Sequence, residues 1–485
     1  MSALQLRADP DAFAVVQRIA ELAHARGGRA LVVGGAVRDA VLGKPSKDLD
    51  VEVYGLAPSV VETMIASEFA IDQIGESFGI LKIQKYPVDV SLPRRESKAG
   101  LGHRGFDVLA DPGMSITEAA ARRDFTMNAM SYDPRTDELF DPYGGAADLH
   151  AGVLKHTSAA FGEDPLRVLR AMQFAARFRL TMHTDTVAVC RAMEMEGLPR
   201  ERLFDEWAKL LVHGAEPSRG LKVLEETGWL AHFWELDVLK DIQQDPVFHP
   251  EGNVLVHTAH CLDAFARERI GDEWEDLVVG FAVLCHDMGK ASTTARGADG
   301  RWHAYGHASA GAEPTRSFLA RLTNMDGLVR AVTPLVTAHM EPDDLYKQAV
   351  GDAAIRRLST RVGRIDRLVR VVRADYAGRP PLVFAGCPAG DWLLERAGAL
   401  AVIDRAPSRL VMGRHLIGIG LKPGREFASI LTSCYEAQLE GAFSTTEEGT
   451  EFARRLVASI DRAPRVSAAP PAVPTATVSA PCQTP

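Results

Sequence analysis

The sequence predicts an α+β chain: a mixed sheet with helices over roughly the first third, and helices alone beyond it. Three observations carry this. Between residues 28 and about 150 strand-like runs alternate with helical ones: "ALVVGG", "DLDVEVYG", "GILKIQK" and "PVDVSL". Beyond about residue 155 the strand signals stop and apolar residues recur at helical spacing. At 485 residues the chain is too long for one core, and 46% hydrophobic with 25% charged residues is globular, so about three domains are expected.

Residues 11–27 read as an amphipathic helix. The apolar run Leu31–Val33 then meets Gly34 and Gly35 and the helix "AVRDAVL". Glycine permits a tight turn and close approach of backbone to a ligand, and a helix start offers N–H groups to an anion. Arg38 adds a guanidinium suited to phosphate. In "DLDVEV" the period is two: Leu49, Val51 and Val53 on one face, Asp48, Asp50 and Glu52 on the other. Carboxylates held side by side raise each other's pKa unless a cation lies between them. Mg²⁺, which takes carboxylates and substrate phosphates, is the natural relief. In "PVDVSLP" the same alternation places Asp89 as a third carboxylate of a two-metal site.

Four motifs come in order: "GGAVRDAVLGKPSKDLDVEVYG", "RRDFTMNAM", "DPYGGAADL" and "EDPLRVLRA". Over about residues 25–235 the chain resembles the class II tRNA nucleotidyltransferase / poly(A) polymerase family. The resemblance implies a polymerase-β-like nucleotidyltransferase head, an all-α neck and body, and addition of C, C and A to tRNA, or of poly(A). It implies attack of a tRNA 3′-hydroxyl on the α-phosphate of CTP or ATP. Asp48 and Asp50 would hold Mg²⁺, and Gly34, Gly35, Arg38 and Arg123 the triphosphate. Asp124 and Asn128, at i and i+4, are expected to share a helix face near the ribose.

In "EDPLRVLRAMQFAAR" Asp164 reads as the N-cap and Pro165 as the first helical residue. Asp164, Arg167 and Arg170 recur every three residues on one face. Cytosine and adenine each show a ring-nitrogen acceptor beside an amino donor, whereas uracil and guanine show the reverse. An arginine and an aspartate can therefore select C and A by their Watson–Crick edges. The family's templating role falls on Asp164 and Arg167. Alone, the same pair would read as a helix salt bridge.

The chain from His257 to about residue 380 is helical and holds six of the fifteen histidines. "FAVLCHDMGK" carries His286 and Asp287, with His257 upstream and Asp375 downstream. This H…HD…D pattern resembles the HD phosphohydrolase superfamily, and implies a divalent transition metal (Ni, Mn, Co or similar) on His257, His286, Asp287 and Asp375. His307 and His339 could complete a second metal or phosphate site. Related HD-bearing enzymes imply hydrolysis of 2′,3′-cyclic phosphates and 2′-phosphates; a remnant fold kept for RNA binding is the alternative.

The expected organisation is a head (1–155), a helical neck and body (156–240), an HD domain (241–385), a C-terminal helical region (386–465) and a disordered tail (466–485). A net charge of −9 argues against a general nucleic-acid binder. The basic interval Arg356–Arg379 reads as a solvated helix face, or as an RNA groove. Cys190, Cys261, Cys285, Cys387, Cys434 and Cys482 form no CxxC pair, so neither disulfides nor a zinc ribbon is suggested. No signal peptide or membrane-spanning run is present, and a cytoplasmic location follows as the expectation. The expected partners are tRNA, CTP and ATP, with the protein a monomer or homodimer. Rival readings are a CC-only or A-only relative, a poly(A) polymerase, or a non-catalytic RNA-binding scaffold. The segment "PRRESKAGLGHRGFDVLADPGMS" is the region expected to discriminate among the adding enzymes.

Overall fold

The computed structural model describes residues 6–74, 80–98 and 106–462. The chain divides into two compact units, residues 1–349 with 362–395, and residues 350–361 with 396–485. The expected tail and Cys482 lie outside the described residues, as does 99–105 in the middle of the discriminating segment.

The first unit opens with helix α1 (Pro10–His24), where Asp9 accepts from the Asp11 and Ala12 N–H groups and Pro10 takes the first turn. Strand β1 (Arg29–Val33) leads into α2 (Gly35–Val41), then β2 (Leu49–Tyr54), α3 (Pro58–Ala66), β3 (Ile71–Ile74), β4 (Ile80–Ile83) and β5 (Val88–Ser91). A separate hairpin of β6 (Arg94–Lys98) and β7 (Phe106–Ala110) precedes α4 (Ile116–Ala121), β8 (Ser131–Asp133) and β9 (Glu138–Phe140). The seven-stranded sheet has the order β3-β4-β5-β2-β1-β8-β9. It is mixed, as expected: β2 and β5 run parallel and their neighbours antiparallel. That pairing sets Asp50 directly opposite Asp89. The alternation in β2 is kept: Leu49, Val51 and Val53 are buried while Asp50 faces out.

"RRDFTMNAM" departs from the helix expected of it. Helix α4 stops at Ala121, and only a 3₁₀ turn, Thr126–Asn128, follows. Phe125 is extended (φ −125°, ψ 149°) because its ring is fully buried, and its backbone bridges to His156. Asp124 accepts from the Phe125 N–H at 2.8 Å, a local bond that competes with helix.

Then come α5 (Gly145–His150), β10 (Val153–Leu154), α6 (Leu166–Phe178), β11 (Thr181–Met182), α7 (Thr184–Arg191), α8 (Arg200–His213) and α9 (Pro217–Glu226). Asp164 caps α6 as expected, accepting from the Leu166 N–H at 3.0 Å, with Pro165 already helical. Strand does persist past residue 155, though among the described residues only as β11, paired parallel with β10, and a small later hairpin. Continuing are α10 (Trp234–Asp237), α11 (Val254–Arg267), α12 (Glu273–Cys285), α13 (Lys290–Thr293) and the hairpin β12 (Ala295–Arg296) and β13 (Trp302–His303). Helices α14 (His307–Ala310), α15 (Ala312–Leu322), α16 (Asp326–Ala338), α17 (Glu341–Lys347), α19 (Ile365–Ala377) and α20 (Pro388–Ala399) complete the run, and α18 (Asp352–Val362) belongs to the second unit. Trp207 anchors this helical core, its ring edge-on to Phe233 at 5.1 Å and to Phe318 at 5.4 Å.

Part of the basic interval is tied to carboxylates of the fold, while Arg361 is exposed. Arg364 and Arg367 pair with Glu275, and Arg370 pairs with Asp276, on α12. Both carboxylates are buried, and a buried charge without a partner is costly. The arginines are thereby committed to the fold. In the second unit Arg357 pairs with Glu436 and Glu440. That unit packs Leu416, Ile430, Cys434, Phe443 and Ala453 into its own apolar cluster. The five described cysteines are buried and unpaired. No helix among the described residues is long and apolar enough to cross a membrane.

Candidate active sites

The first site lies on the head sheet. Asp50 of β2 and Asp89 of β5 line a pocket of about 250 Å³ together with Glu52, Ser91, Arg94, Arg122 and Arg123. Asp48 is exposed immediately before β2, and is not among the pocket-lining residues. Desolvation pushes the Asp50 carboxyl up from its ordinary value, Arg123 opposes this, and Asp89, Asp48 and Glu52 push it further up. Crowded negative charge of this kind suits a hard divalent cation with oxygen ligands.

The glycine turn is built as its position requires. Gly34 has φ +70°, a region L side chains rarely adopt, and a Cβ there would stand 3.0 Å from Arg123 Nη1. The Arg123 guanidinium thus rests against the turn, and reaches Glu52 at 3.7 Å. Gly35 starts α2, next to the Arg38 guanidinium.

The Arg38 guanidinium at this turn is taken up by partners within the fold. It is buried beneath the Phe178 ring, donates Nε and Nη2 to Asp39, and donates Nη1 to Asn128 Oδ1 at 2.9 Å. Asn128 in turn donates to Asp124 Oδ1 at 2.9 Å, and Arg170 donates to Asp124 Oδ2 at 2.7 Å. One polar chain therefore runs from α2 through the 3₁₀ turn to α6. It brings together Asp124 and Asn128, as expected, without the helix expected to do so. Burial alone would raise the Asp124 carboxyl, but Arg170, Asn128 and the Phe125 N–H hold it below its ordinary value. Arg167 donates to the carbonyls of Ala160 and Arg122, at 2.7 and 2.9 Å. Asp164 also approaches Arg202 at 3.4 Å.

Asp124→Ala is expected to lower unfolding stability by about 2–3 kcal/mol in urea, somewhat under the range for a wholly buried pair. A third of the Arg170 side chain meets solvent, which accounts for the discount. Because the carboxyl is depressed when folded, its contribution is present above about pH 4 and fades as pH falls further. The variant's stability deficit should shrink in the same window.

The second site is built by helix ends. His286 follows α12, His339 follows α16, and His307 opens α14. In each, Nδ1 lies 2.7, 2.7 and 2.8 Å from the carbonyl oxygen three residues earlier, Val283, Val336 and Ala304. Those carbonyls fix the proton on Nδ1, leaving each Nε2 a lone pair. The lone pairs converge. His307 and His339 Nε2 stand 3.2 Å apart, His286 Nε2 is 3.3 Å from Asp287 Oδ2, and His307 Nε2 is 3.4 Å from Asp287 Oδ1. His286 Nε2 is buried with no hydrogen-bond partner, and Asp287 Oδ2 meets only charged neighbours, the Lys290 ammonium among them.

His257 of α11 reaches Asp375 of α19 at 3.1 Å and Asp287 at 3.7 Å. The four expected residues are thus together, and His307 and His339 join them. Burial holds His307 low and His339 at about 4, so both stay neutral near pH 7. Burial also opposes charge on His257, but Cys261, Asp375 and Glu251 push it well above its ordinary value. Three imidazoles with Nε2 lone pairs, beside His257 and two buried carboxylates, are a donor set for a divalent transition metal. Lys290 contacts Asp287 at 2.7 Å and Arg379 contacts Asp375 at 2.6 Å. Glu251, His249 and Cys261 escaped sequence reasoning as site residues, whereas Lys290 sat inside "HDMGK" and Arg379 closed the basic interval.

Gly289 of that motif has a structural reason. A Cβ there would collide with the His307 carbonyl oxygen and the Gly311 amide, both backbone. Gly289→Ala is expected to cost about 1–3 kcal/mol and to displace His307, which thermal melting with and without Mn²⁺ would register.

A mixed sheet carrying paired carboxylates beside a left-handed glycine turn and an arginine defines a nucleotidyltransferase head. Residues 30–155 match the family described as "Poly A polymerase head domain", and residues 179–239 the one described as "Probable RNA and SrmB- binding site of polymerase A". The chain is 34% identical over 424 residues to the "Multifunctional CCA protein" of Xylella fastidiosa (strain 9a5c), covering 84% of this chain and 98% of that one. Against that of Xanthomonas campestris pv. campestris (strain B100) it is 37% identical over 389 residues, covering 77% and 91%. The chain belongs to this family of CCA proteins. In fold it resembles the Bacillus stearothermophilus CCA-adding enzyme solved with CTP (TM-score 0.64, 22% identity, 93% of this chain and 99% of that one). The Thermotoga maritima CCA-adding enzyme solved with tRNA is similar too (TM-score 0.56, 18% identity, 94% and 97%).

Proposed function

We propose that this protein adds C, C and A to tRNA 3′ ends from CTP and ATP. The observation that carries it is the register of β2 and β5, which sets Asp50 opposite Asp89 in a pocket edged by Arg123. Asp48, Asp50 and Asp89 would hold divalent ions, Mg²⁺ by the all-oxygen donor set, which when bound supply charge neutralisation at the α-phosphate and the leaving pyrophosphate. Arg123 and the Gly34–Gly35 turn receive the triphosphate. The tRNA 3′ oxygen forms its bond to the α-phosphorus as the bond to the β-phosphate oxygen breaks. Asp164 and Arg167 read the Watson–Crick edge of the base; Arg167 is anchored on the carbonyl of Arg122, a pocket residue. Arg38, Asp124, Asn128 and Arg170 hold this arrangement in register, and their contact to nucleotide is indirect on this reading.

The same chain carries a second activity, a metal-dependent phosphohydrolase acting on 2′,3′-cyclic or 2′-phosphates. Its support is the convergence of His257, His286, His307 and His339 on Asp287 and Asp375. A transition metal held there would polarise a phosphate ester and lower the pKa of a water. The two activities complement each other, since a phosphate-blocked 3′ end lacks the hydroxyl that the head requires. The division into head (1–155), neck and body (156–240) and HD domain (241–385), and action in the cytoplasm, belong to the same proposal.

Gel-resolved extension of a tRNA lacking its CCA, with Mg²⁺ and each nucleotide alone and together, tests the first activity. C, C, then A and a stop is the expected result. Only CC, only A, or an unbounded A tail would transfer the protein to a related activity.

A further inference from the structure

The structure assigns Glu251 as the positioning residue that presents His257 to the metal of the second site; this rests on the phosphohydrolase reading. His286, His307 and His339 each find their Nδ1–H acceptor three residues back along their own backbone. His257 does not. It sits inside α11, and the corresponding carbonyl, that of Val254, accepts from the Thr258 hydroxyl at 2.9 Å. Its nearest Nδ1 partner is instead Glu251 Oε1 at 2.7 Å, with the Gly378 carbonyl further off at 3.2 Å.

Glu251 belongs to the loop before α11, yet its side chain is wholly buried. The same oxygen accepts from His249 Nδ1 at 2.9 Å, while Oε2 is buried without a partner. Burying a carboxylate on a loop is costly, and leaving one oxygen unbonded adds to the cost. Among the described residues no lysine or arginine pairs with it; its partners are the imidazoles of His249 and His257. What it does achieve is geometric: together with the Gly378 carbonyl, which accepts from Nδ1 at 3.2 Å, it fixes the proton on Nδ1 of His257, so that Nε2 faces Asp375 and Asp287. A carboxylate acceptor also makes the imidazole a more basic ligand than a carbonyl would. The shared oxygen aligns His249, whose ring lines the same pocket.

The test uses the full-length protein with Asp48→Ala and Asp50→Ala, so that the head does not compete for the ion. Mn²⁺ or Co²⁺ alone is the probe. Two readouts are followed: the metal dissociation constant by calorimetry, and the visible absorption of bound Co²⁺, which reports nitrogen ligation. Glu251→Ala is expected to weaken metal binding about 10–100-fold, the usual effect of losing such a partner. The melting temperature without metal should fall modestly, because the contacts from His249 and His257 that, against burial, hold the Glu251 carboxyl down to about 2 are lost. Glu251→Gln keeps an acceptor oxygen and should fall between, with the Co²⁺ spectrum retained. Unchanged affinity and spectrum in Glu251→Ala, while His286→Ala abolishes both, would overturn this assignment and leave the phosphohydrolase site standing. Metal binding lost in Glu251→Ala but restored to the parental affinity well below its lowered metal-free melting temperature would also overturn it, as a purely structural effect. No Mn²⁺ or Co²⁺ bound by the parent protein would overturn the phosphohydrolase reading itself.

Discussion

Asp50→Asn should reduce CCA addition by about a thousandfold or more while leaving the protein folded. The substitution keeps the shape of the side chain and removes one charge from the pocket. Stabilising the charge that develops in phosphoryl transfer is worth several kcal/mol, and each 1.4 kcal/mol is tenfold in rate. Folding should not suffer, because Asp50 sits among like charges: Asp89, Asp48 and Glu52 all raise its carboxyl. Relief of that repulsion predicts an unchanged or slightly higher melting temperature. Single-turnover extension by the purified variant, beside its thermal melt, checks both halves. A variant that extends at the parental rate would remove the head chemistry argued from β2 and β5.

The second large effect is a separation of activities. Asp287→Ala is expected to abolish metal-dependent release of phosphate from 2′-AMP and from 2′,3′-cyclic AMP, and to leave CCA addition within about twofold. Asp287 is buried where Nε2 atoms of His286, His307 and His257 meet, at 3.3, 3.4 and 3.7 Å. Removing it takes away the carboxylate shared by most of the cluster. Lys290 loses its partner as well. Some destabilisation is therefore expected, and retained CCA addition serves as the control for folding. Hydrolysis that survives in both Asp287→Ala and His286→Ala would mean that the activity resides elsewhere.

These expectations divide by what a sequence can express. Alternation along β2 was legible because a strand writes its faces into every second residue, and Asp89 could be matched by the same rule. The strand pairing itself was not written, so the register of Asp50 with Asp89 came only with the fold. "RRDFTMNAM" misled because i, i+4 spacing suits a helix, whereas burial of Phe125 demanded extended backbone and Asp124 bonded to its own neighbour. Arg38 looked like a phosphate ligand because arginines after glycine turns can be. Its commitment to Asn128, ninety positions away, has no local trace. The basic run Arg364–Arg373 was visible as charge, but its partners Glu275, Asp276 and Asp391 lie far along the chain. At the second site the histidines announced themselves by chemistry. Glu251 did not, since a lone glutamate in a loop is ordinarily solvent-facing.

The polar chain through Asp39, Arg38, Asn128, Asp124 and Arg170 bears on how this protein can be recombined. Its members come from three stretches of sequence, yet each satisfies the next, so they behave as one inherited unit. A chimaera that takes its first 155 residues from one relative and α6 from another would carry two halves of this chain that have never been matched. Such a hybrid should fold poorly unless the five positions travel together, and restoring Arg170 and Asp124 as a set should repair it better than either alone. Grafting a foreign base-reading helix is therefore a five-residue problem, wider than the Asp164–Arg167 pair that reads the base.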